Sequence, residues 1–145
     1  MTVLFDIDGT LADVEHRRLH LQGCRSDWKK FNSLMGSDVP NTPIVELYKT
    51  LWYSGKYELI LVSGRGEEFR RITEVWLKSN LIPFDRLMMR PKRDFRADVE
   101  IKKEILDQLL SEGRSISFVV DDRNSVVNMW RENNITCLQC ADGDF

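Results

Sequence analysis

Long apolar runs are missing from this 145-residue chain. No stretch approaches the ~20 consecutive apolar residues that a membrane-spanning helix needs. The amino end runs directly into a candidate strand, so no export signal is expected there. Cysteine is scarce: Cys24, Cys137 and Cys140 are an odd set, which argues for reduced thiols in a cytoplasm rather than a disulfide framework. Charge of one sign is lacking too. With a formal net charge of -2, any attraction to nucleic acid must come from a local basic patch. The Gly-x-x-x-x-Gly-Lys-[Ser/Thr] pattern is absent, which excludes a P-loop, and there are no internal repeats or low-complexity tracts. What remains is an ordinary globular composition, 42% hydrophobic and 30% charged, at a length suited to one domain with a substantial core.

The first element is the most informative. Val3, Leu4, Phe5 and Ile7 form a short apolar run of β-formers, the pattern of a strand buried on both faces. Asp6 and Asp8 stand where that run ends, and Gly9 suits a tight turn. One carboxylate can point into a cleft beyond the strand while the other stands beside it. Two such charges repel, and a bound cation relieves them. The bland alternative for this stretch alone is an Asp-Gly turn with an incidental second aspartate.

The rest of the chain alternates helical and strand patterns. Asp13 is placed to cap a helix over 14–21, and Asp27 a second over 28–35 whose apolar face is Trp28, Phe31, Leu34 and Met35. His16, Arg17, Arg18, Arg25, Lys29 and Lys30 make this insert basic, which suits a phosphorylated ligand or simply a solvated face. Thr42 and Pro43 read as the N-cap and first position of a helix stopped by Gly55. Residues 57–62 form the second strand. At its end, Ser63, Gly64, Arg65 and Gly66 put a hydroxyl and backbone N–H groups where an anion can sit. A helix over 67–79 should bury Phe69, Ile72, Val75 and Trp76, and a strand over 86–89 should follow.

That strand leads into the densest basic cluster, Arg90, Lys92, Arg93 and Arg96 around Phe95. The composition suits a loop that tracks phosphates and stacks bases; it equally suits an exposed loop with one anchoring aromatic. A helix over 98–112 carries Lys102 and Lys103 near its start, where a cation needs a compensating anion. A strand over 115–120 delivers Asp121, Asp122 and Arg123, and adjacent carboxylates opposite Asp6 and Asp8 make an oxygen-rich site suited to Mg²⁺. A helix over 124–133 and a strand over 136–139 complete the pattern. Cys137 and Cys140 have Cys-x-x-Cys spacing, and His16, His20 and Cys24 lie four apart. Residues three apart on a strand point to opposite faces, however, and there is no second Cys-x-x-Cys, so neither zinc nor redox chemistry is expected.

Strands alternating with helices imply an α/β domain, with a parallel sheet of about five strands and helices on both faces. Every candidate site residue falls after a strand or at a helix start, on the carboxyl edge where such sheets bind ligands. Asp6-Ile-Asp-Gly-Thr-Leu11 resembles the first motif of the haloacid dehalogenase (HAD) superfamily, mostly magnesium-dependent phosphatases that work through a phospho-aspartate. Ser63, Lys102 and Asp121-Asp122-Arg123 fall in the places of its remaining three motifs, in order. The resemblance implies a Rossmann-like fold with residues 13–41 as a small helical cap. It further implies Asp6 as nucleophile, Asp8 as general acid and base, Ser63 and Gly64 on the phosphoryl oxygens, and Lys102 neutralising charge. Mg²⁺ would be held by Asp6, the Asp8 carbonyl and Asp122. Asp121 would act through water or by holding Lys102, and Thr10 would steady Asp8.

A narrower likeness, to the phosphatase domain of phage polynucleotide kinase–phosphatases, rests on several further features. These are Val62-Ser-Gly-Arg65, Arg90 followed by Lys102, Val127-x-Met-Trp-Arg131 and the ending Gly143-Asp-Phe145. It implies that Arg65, Arg90 and Arg123 bind or orient the phosphate and nearby charges, since forked guanidinium donors suit phosphate oxygens. The implied activity is removal of 3′-phosphates from DNA or RNA ends, beside a 5′-kinase and a ligase, in a cytoplasm that would be a bacterial host's if the gene is a phage's. Without a P-loop in this sequence no kinase half is expected in it, and the cap segment looks longer than in that relative. A longer cap points to a phosphatase of small nucleotides as the alternative. An idle nucleic-acid-binding relative would have lost a catalytic residue, and none is lost.

Overall fold

The computed structural model describes residues 1–22 and 26–145, so Cys24 and Arg25 lie outside the described residues. Among the described residues, seven strands and six helices follow one another along the chain. They are β1 (Thr2–Phe5), β2 (Ala12–Asp13), α1 (Glu15–Arg18), α2 (Trp28–Ser33), β3 (Val39–Pro40), α3 (Thr42–Ser54), β4 (Glu58–Gly66), α4 (Arg70–Ser79), β5 (Arg86–Arg90), α5 (Asp98–Ser111), β6 (Ile116–Asp121), α6 (Asn124–Glu132) and β7 (Cys137–Gln139). Five strands form one parallel sheet in the order β5-β4-β1-β6-β7. β1 is central, so both of its faces are covered: Val3 and Phe5 pack with Tyr48 and Trp76 from α3 and α4, and Leu4 packs with Leu106 and Trp130 from α5 and α6. This is the α/β sheet with helices on both faces that the alternating pattern implies.

The chain leaves the sheet after Leu11 and returns through a two-stranded antiparallel ribbon in which Ala12 faces Pro40 and Asp13 faces Val39. The insert between them is less helical than its sequence suggests. α1 gives way to a 3₁₀ turn at Leu19–Leu21, and α2 is followed by another at Met35–Ser37. Asp27 caps α2 by accepting the Lys30 N–H at 2.9 Å. Asp13 lies in β2, where its carboxylate accepts the Glu15 N–H at 3.0 Å, and Val14 takes the cap position. At α3 the cap position is Asn41 rather than Thr42, and Gly55 closes the helix in the left-handed region at φ 68°.

Two further differences shape the site. Val75, expected in the core, is 57% exposed, and the buried residues of α4 are Thr73, Trp76 and Leu77. Two steps of three residues from Phe69 fall ~120° short of two full turns, which carries position 75 off the buried stripe. β4 also runs past Val62 to Gly66, but its register against β5 shifts between those residues. Ser63, Gly64 and Arg65 occupy that irregular stretch, at the carboxyl edge beside β1.

Candidate active site

β1 lies between β4 and β6, and the crossovers on its two sides run over opposite faces of the sheet, so a crevice opens beyond its carboxyl end. Asp6 is the first residue past β1, and its N–H still donates to the Val120 carbonyl of β6 at 3.0 Å. One carboxylate oxygen accepts from Lys102 Nζ at 2.8 Å and the other from the Thr10 hydroxyl at 3.0 Å. Lys102, buried on the second turn of α5, also donates to Asp121 at 2.9 Å. Asp121 ends β6 and is held by its neighbours: Trp130 Nε1 donates to it at 3.3 Å and the Asp122 N–H at 2.8 Å.

Carboxylate oxygens of Asp6, Asp121 and Asp122 lie within 4.8 Å of one another, the only such cluster among the described residues. Burial pushes the Asp6 carboxyl well up; Lys102 pulls against that, while Asp121 and Asp122 add to it. Burial and then Asp121 lift Asp122 to about 6. For Lys102, burial works against the charge, but Asp121, Asp6 and Asp98 outweigh it and hold the ammonium form. Lys102 touches Asp6 and Asp121, and Arg18 Nη2 lies 3.6 Å from Asp122. Two cations against three carboxylates still leave negative charge in excess, and this donor set fits a hard divalent cation. Gly9 makes the close approach possible. It sits at φ 80°, and a Cβ there would collide with the Asp122 carboxylate.

Asp8 turns away from this cluster. Arg65 Nη2 lies 2.6 Å and Arg17 Nη2 2.5 Å from the same Asp8 oxygen, and Arg65 Nε bridges both oxygens at 3.2 and 3.1 Å. Buried Asp38 ties the two arginines together, accepting from Arg17 Nε at 2.7 Å and from Arg65 Nη2 at 3.0 Å. His16 Nε2 reaches Asp38 at 2.7 Å, and Thr73 accepts from Arg65 Nη1 at 3.0 Å. Burial alone would raise the Asp8 pKa, but Arg65 and Arg17 overcome it and hold the carboxyl at about 2.

The remaining expected residues converge on the same edge with changed partners. Thr10 steadies Asp6 rather than Asp8, because the turn at Gly9 brings its N–H back to the Ile7 carbonyl at 3.1 Å and its hydroxyl over Asp6. Ser63 is buried and its hydroxyl accepts the Arg65 N–H at 3.1 Å. Arg65 has its donors committed to Asp8, Asp38 and Thr73, so it positions Asp8 instead of presenting a free fork. Arg90 likewise donates inward, to the Gly64 carbonyl at 2.8 Å and to those of Asp94 and Arg96 at 3.2 and 2.5 Å. Gly64 has no room for a Cβ, which would strike the Asp98 carboxylate. Arg123 lies 3.8 Å from Asp98 and stacks on the Phe145 ring at 4.8 Å, and Arg18 stacks on the same ring at 4.4 Å.

Two participants escape a reading of the sequence. Arg17 is one cation among several in the insert, yet it is fully buried, with its guanidinium 4.4 Å over the Phe31 ring. Asp38 is a lone acid without a motif, and no local signal marks it. The cysteines take no part: Cys137 and Cys140 are free thiols, pushed up by burial to about 12 and about 11. Over the whole arrangement lies a cleft of about 880 Å³, lined by Asp6, Asp8 and Asp122 below and by Arg18, Trp28 and Phe31 of the insert.

Comparison with known proteins agrees with this geometry. The family profile for the polynucleotide kinase PNKP phosphatase domain matches residues 1–145. A chain in the structure of the Pnkp1/Rnl/Hen1 RNA repair complex is 37% identical with a TM-score of 0.80, covering 99% of this chain and 43% of its own. A second structure of the Pnkp1/Rnl/Hen1 complex gives 36% identity and a TM-score of 0.79, covering 99% and 47%. This chain therefore spans less than half the length of those relatives. A haloacid dehalogenase-like hydrolase from Streptococcus pneumoniae, 15% identical over 95% of this chain and 83% of its own, shares the fold at a TM-score of 0.66. The chain belongs to the polynucleotide kinase PNKP phosphatase domain family and is a phosphatase domain of the haloacid dehalogenase fold.

Proposed function

We propose that this domain removes 3′-phosphates from nucleic-acid ends, as a Mg²⁺-dependent phosphomonoesterase that acts through a phospho-aspartate on Asp6. The observation that carries the reading is the pairing of a buried Asp6, fastened by Lys102 and Thr10, with an Asp8 held apart by arginines. Two carboxyl groups in such different surroundings are suited to different tasks. Asp6 and Asp122 would hold the cation, with Asp121 behind them through Lys102 or a water. When bound, the cation would offset charge on the phosphoryl oxygens and on Asp6.

The steps belong to the chain's own residues. An Asp6 oxygen attacks phosphorus in line, the bond to the 3′-oxygen breaks, and Lys102 and the Ser63 hydroxyl meet the charge on the equatorial oxygens. The leaving oxygen takes a proton from Asp8. A phosphoryl dianion entering beside Asp8 sets a like charge against it and competes for Arg65 and Arg17. Both effects raise the Asp8 pKa from about 2 toward the acid form that this step needs. With the product gone, Asp8 takes a proton from the water that hydrolyses the phospho-aspartate. Arg65 and Arg17 orient Asp8, and Asp38 orients the arginines.

The insert, residues 13–41, would serve as a cap over the leaving group. The likeness to a chain of an RNA repair complex supports a nucleic-acid end as substrate, with a 5′-kinase and a ligase as working partners. Free thiols at Cys137 and Cys140 suit a cytoplasm, and no described helix is long and apolar enough to cross a membrane. A nucleotidase is the second reading, favoured by Trp28 and Phe31 of the insert lining the cleft. Phosphate release in Mg²⁺ decides between them, measured on a 3′-phosphorylated oligonucleotide, a 3′-mononucleotide, a 5′-mononucleotide and a 5′-phosphorylated oligonucleotide. Preference for the first is the expected result; preference for either mononucleotide establishes the nucleotidase.

A further inference from the structure

Phe95 is 93% exposed, on the loop that follows β5 and at the rim of the catalytic cleft. Its exposure does not come from a loose loop. Arg90 fastens this segment from within through the carbonyls of Gly64, Asp94 and Arg96. The Asp94 carboxylate accepts the Arg96 N–H at 3.1 Å and its guanidinium at 2.6 Å, and Arg96 reaches Glu104 at 2.6 Å. An ordered loop thus holds a large apolar ring out in water.

The other aromatic rings of the cleft have partners. Phe31 lies under Arg17 and against the edge of Trp28, with ring centres 5.6 Å apart, and Phe145 is flanked by Arg18 and Arg123. Phe69 packs on the core. Phe95 has no aromatic or cationic partner among the described residues. The cations around it divide into two kinds: Arg90 and Arg96 are committed within the loop, whereas Lys92 and Arg93 are exposed and make no ion pair among the described residues. A bare ring beside two free cations, on the rim of a cleft that holds Asp6, is the combination that binds one strand of nucleic acid: a base stacks and phosphates are neutralised.

We propose that Phe95 is a stacking platform for a base of a single-stranded substrate, with Lys92 and Arg93 meeting the adjoining phosphates. The proposal rests on the nucleic-acid reading above and adds a specificity-determining residue to it. β5 stands two strands from β1, on the order of 10 Å across the sheet, so the loop that carries Phe95 leaves the sheet to one side of Asp6 while the ring lines the same cleft.

The test compares two 3′-phosphorylated oligomers of one length, one carrying bases and one abasic, in Mg²⁺. The wild-type domain should favour the base-containing oligomer, and Phe95→Ala should lower kcat/KM for it roughly tenfold, through KM, the low end of what one stacked base contributes. The abasic oligomer should not notice that substitution, and Phe95→Trp should restore the preference. Replacing Lys92 and Arg93 by Ala should weaken both oligomers and flatten the salt dependence by a slope of about 1.4 for two lost phosphate contacts. Equal effects of Phe95→Ala on both oligomers, or none on either, would overturn the stacking role while leaving the 3′-phosphatase reading intact. Failure of the wild type to release phosphate from either oligomer would overturn both.

Discussion

The site has two halves built by different means. In the sheet half, Asp6, Ser63, Asp121 and Asp122 leave the carboxyl ends of β1, β4 and β6, and Lys102 enters from the second turn of α5. Their positions follow from hydrogen-bonded strands whose register is set by buried residues on both faces. In the insert half, Arg17 and Arg18 come from the single short turn of α1, and Asp38 from the link between a 3₁₀ turn and β3. Ion pairs and rings hold them: Arg17 to Asp8 and Asp38, Arg17 over Phe31, Arg18 over Phe145. One half is a platform fixed by strand register. The other is an electrostatic clasp on Asp8, held by buried ion pairs.

The contrast can be broken most strongly at Lys102. Lys102→Met leaves Asp6 and Asp121 buried without their cation; about 3–5 kcal/mol of stability should be lost and phosphate release should fall about 10²–10³-fold. Denaturant unfolding and steady-state rates measure the two effects. A variant of near wild-type stability would show that the platform is not held by this lysine. Asp38→Asn attacks the clasp. It weakens the hold on Arg17 and Arg65, so Asp8 is mis-set and kcat should drop about 10–10²-fold, with KM for small phosphoesters little changed. A loss confined to stability would make Asp38 a structural residue only.

The pH dependence of metal binding sharpens the same division. Asp122, raised by burial to about 6, stabilises the fold most when protonated, and that contribution is lost as the pH rises through about 6. A cation restores stability only where Asp122 has ionised. The rise in Tm on adding Mg²⁺ should therefore be larger at pH 8 than at pH 5; equal rises would place the cation elsewhere. Asp8, held at about 2, should not contribute to this change. Smallest of all is Arg18→Ala, which removes a stacking contact with Phe145 worth about 0.5–1 kcal/mol and should shift Tm by a few degrees or less.

The sheet half was open to sequence reading because its residues sit at the ends of apolar runs, where period and punctuation are informative. Asp6 after Val3, Leu4 and Phe5, or Asp121 after Val119 and Val120, can be placed without knowing any long-range contact. The insert half was closed for the opposite reason. Arg17 is buried only because Asp38 and Asp8 come to meet it, and they stand 21 and 9 residues away in sequence. No local pattern encodes that meeting. The partners of Arg65 and Arg90 are not legible locally, since they depend on the fold: one reaches Asp8 and Asp38, the other reaches loop carbonyls. Val75 falls off the buried stripe because steps of three residues lag behind a helix that turns every 3.6.

Trapping the covalent intermediate tests the central claim most directly. A single turnover on a 3′-phosphorylated oligonucleotide would be quenched in acid and the protein mapped by mass spectrometry. The phosphoryl group should be found on Asp6, and Asp6→Asn should carry none and release no phosphate. Phosphate release by Asp6→Asn, or a phosphoryl group on any other residue, would contradict the mechanism.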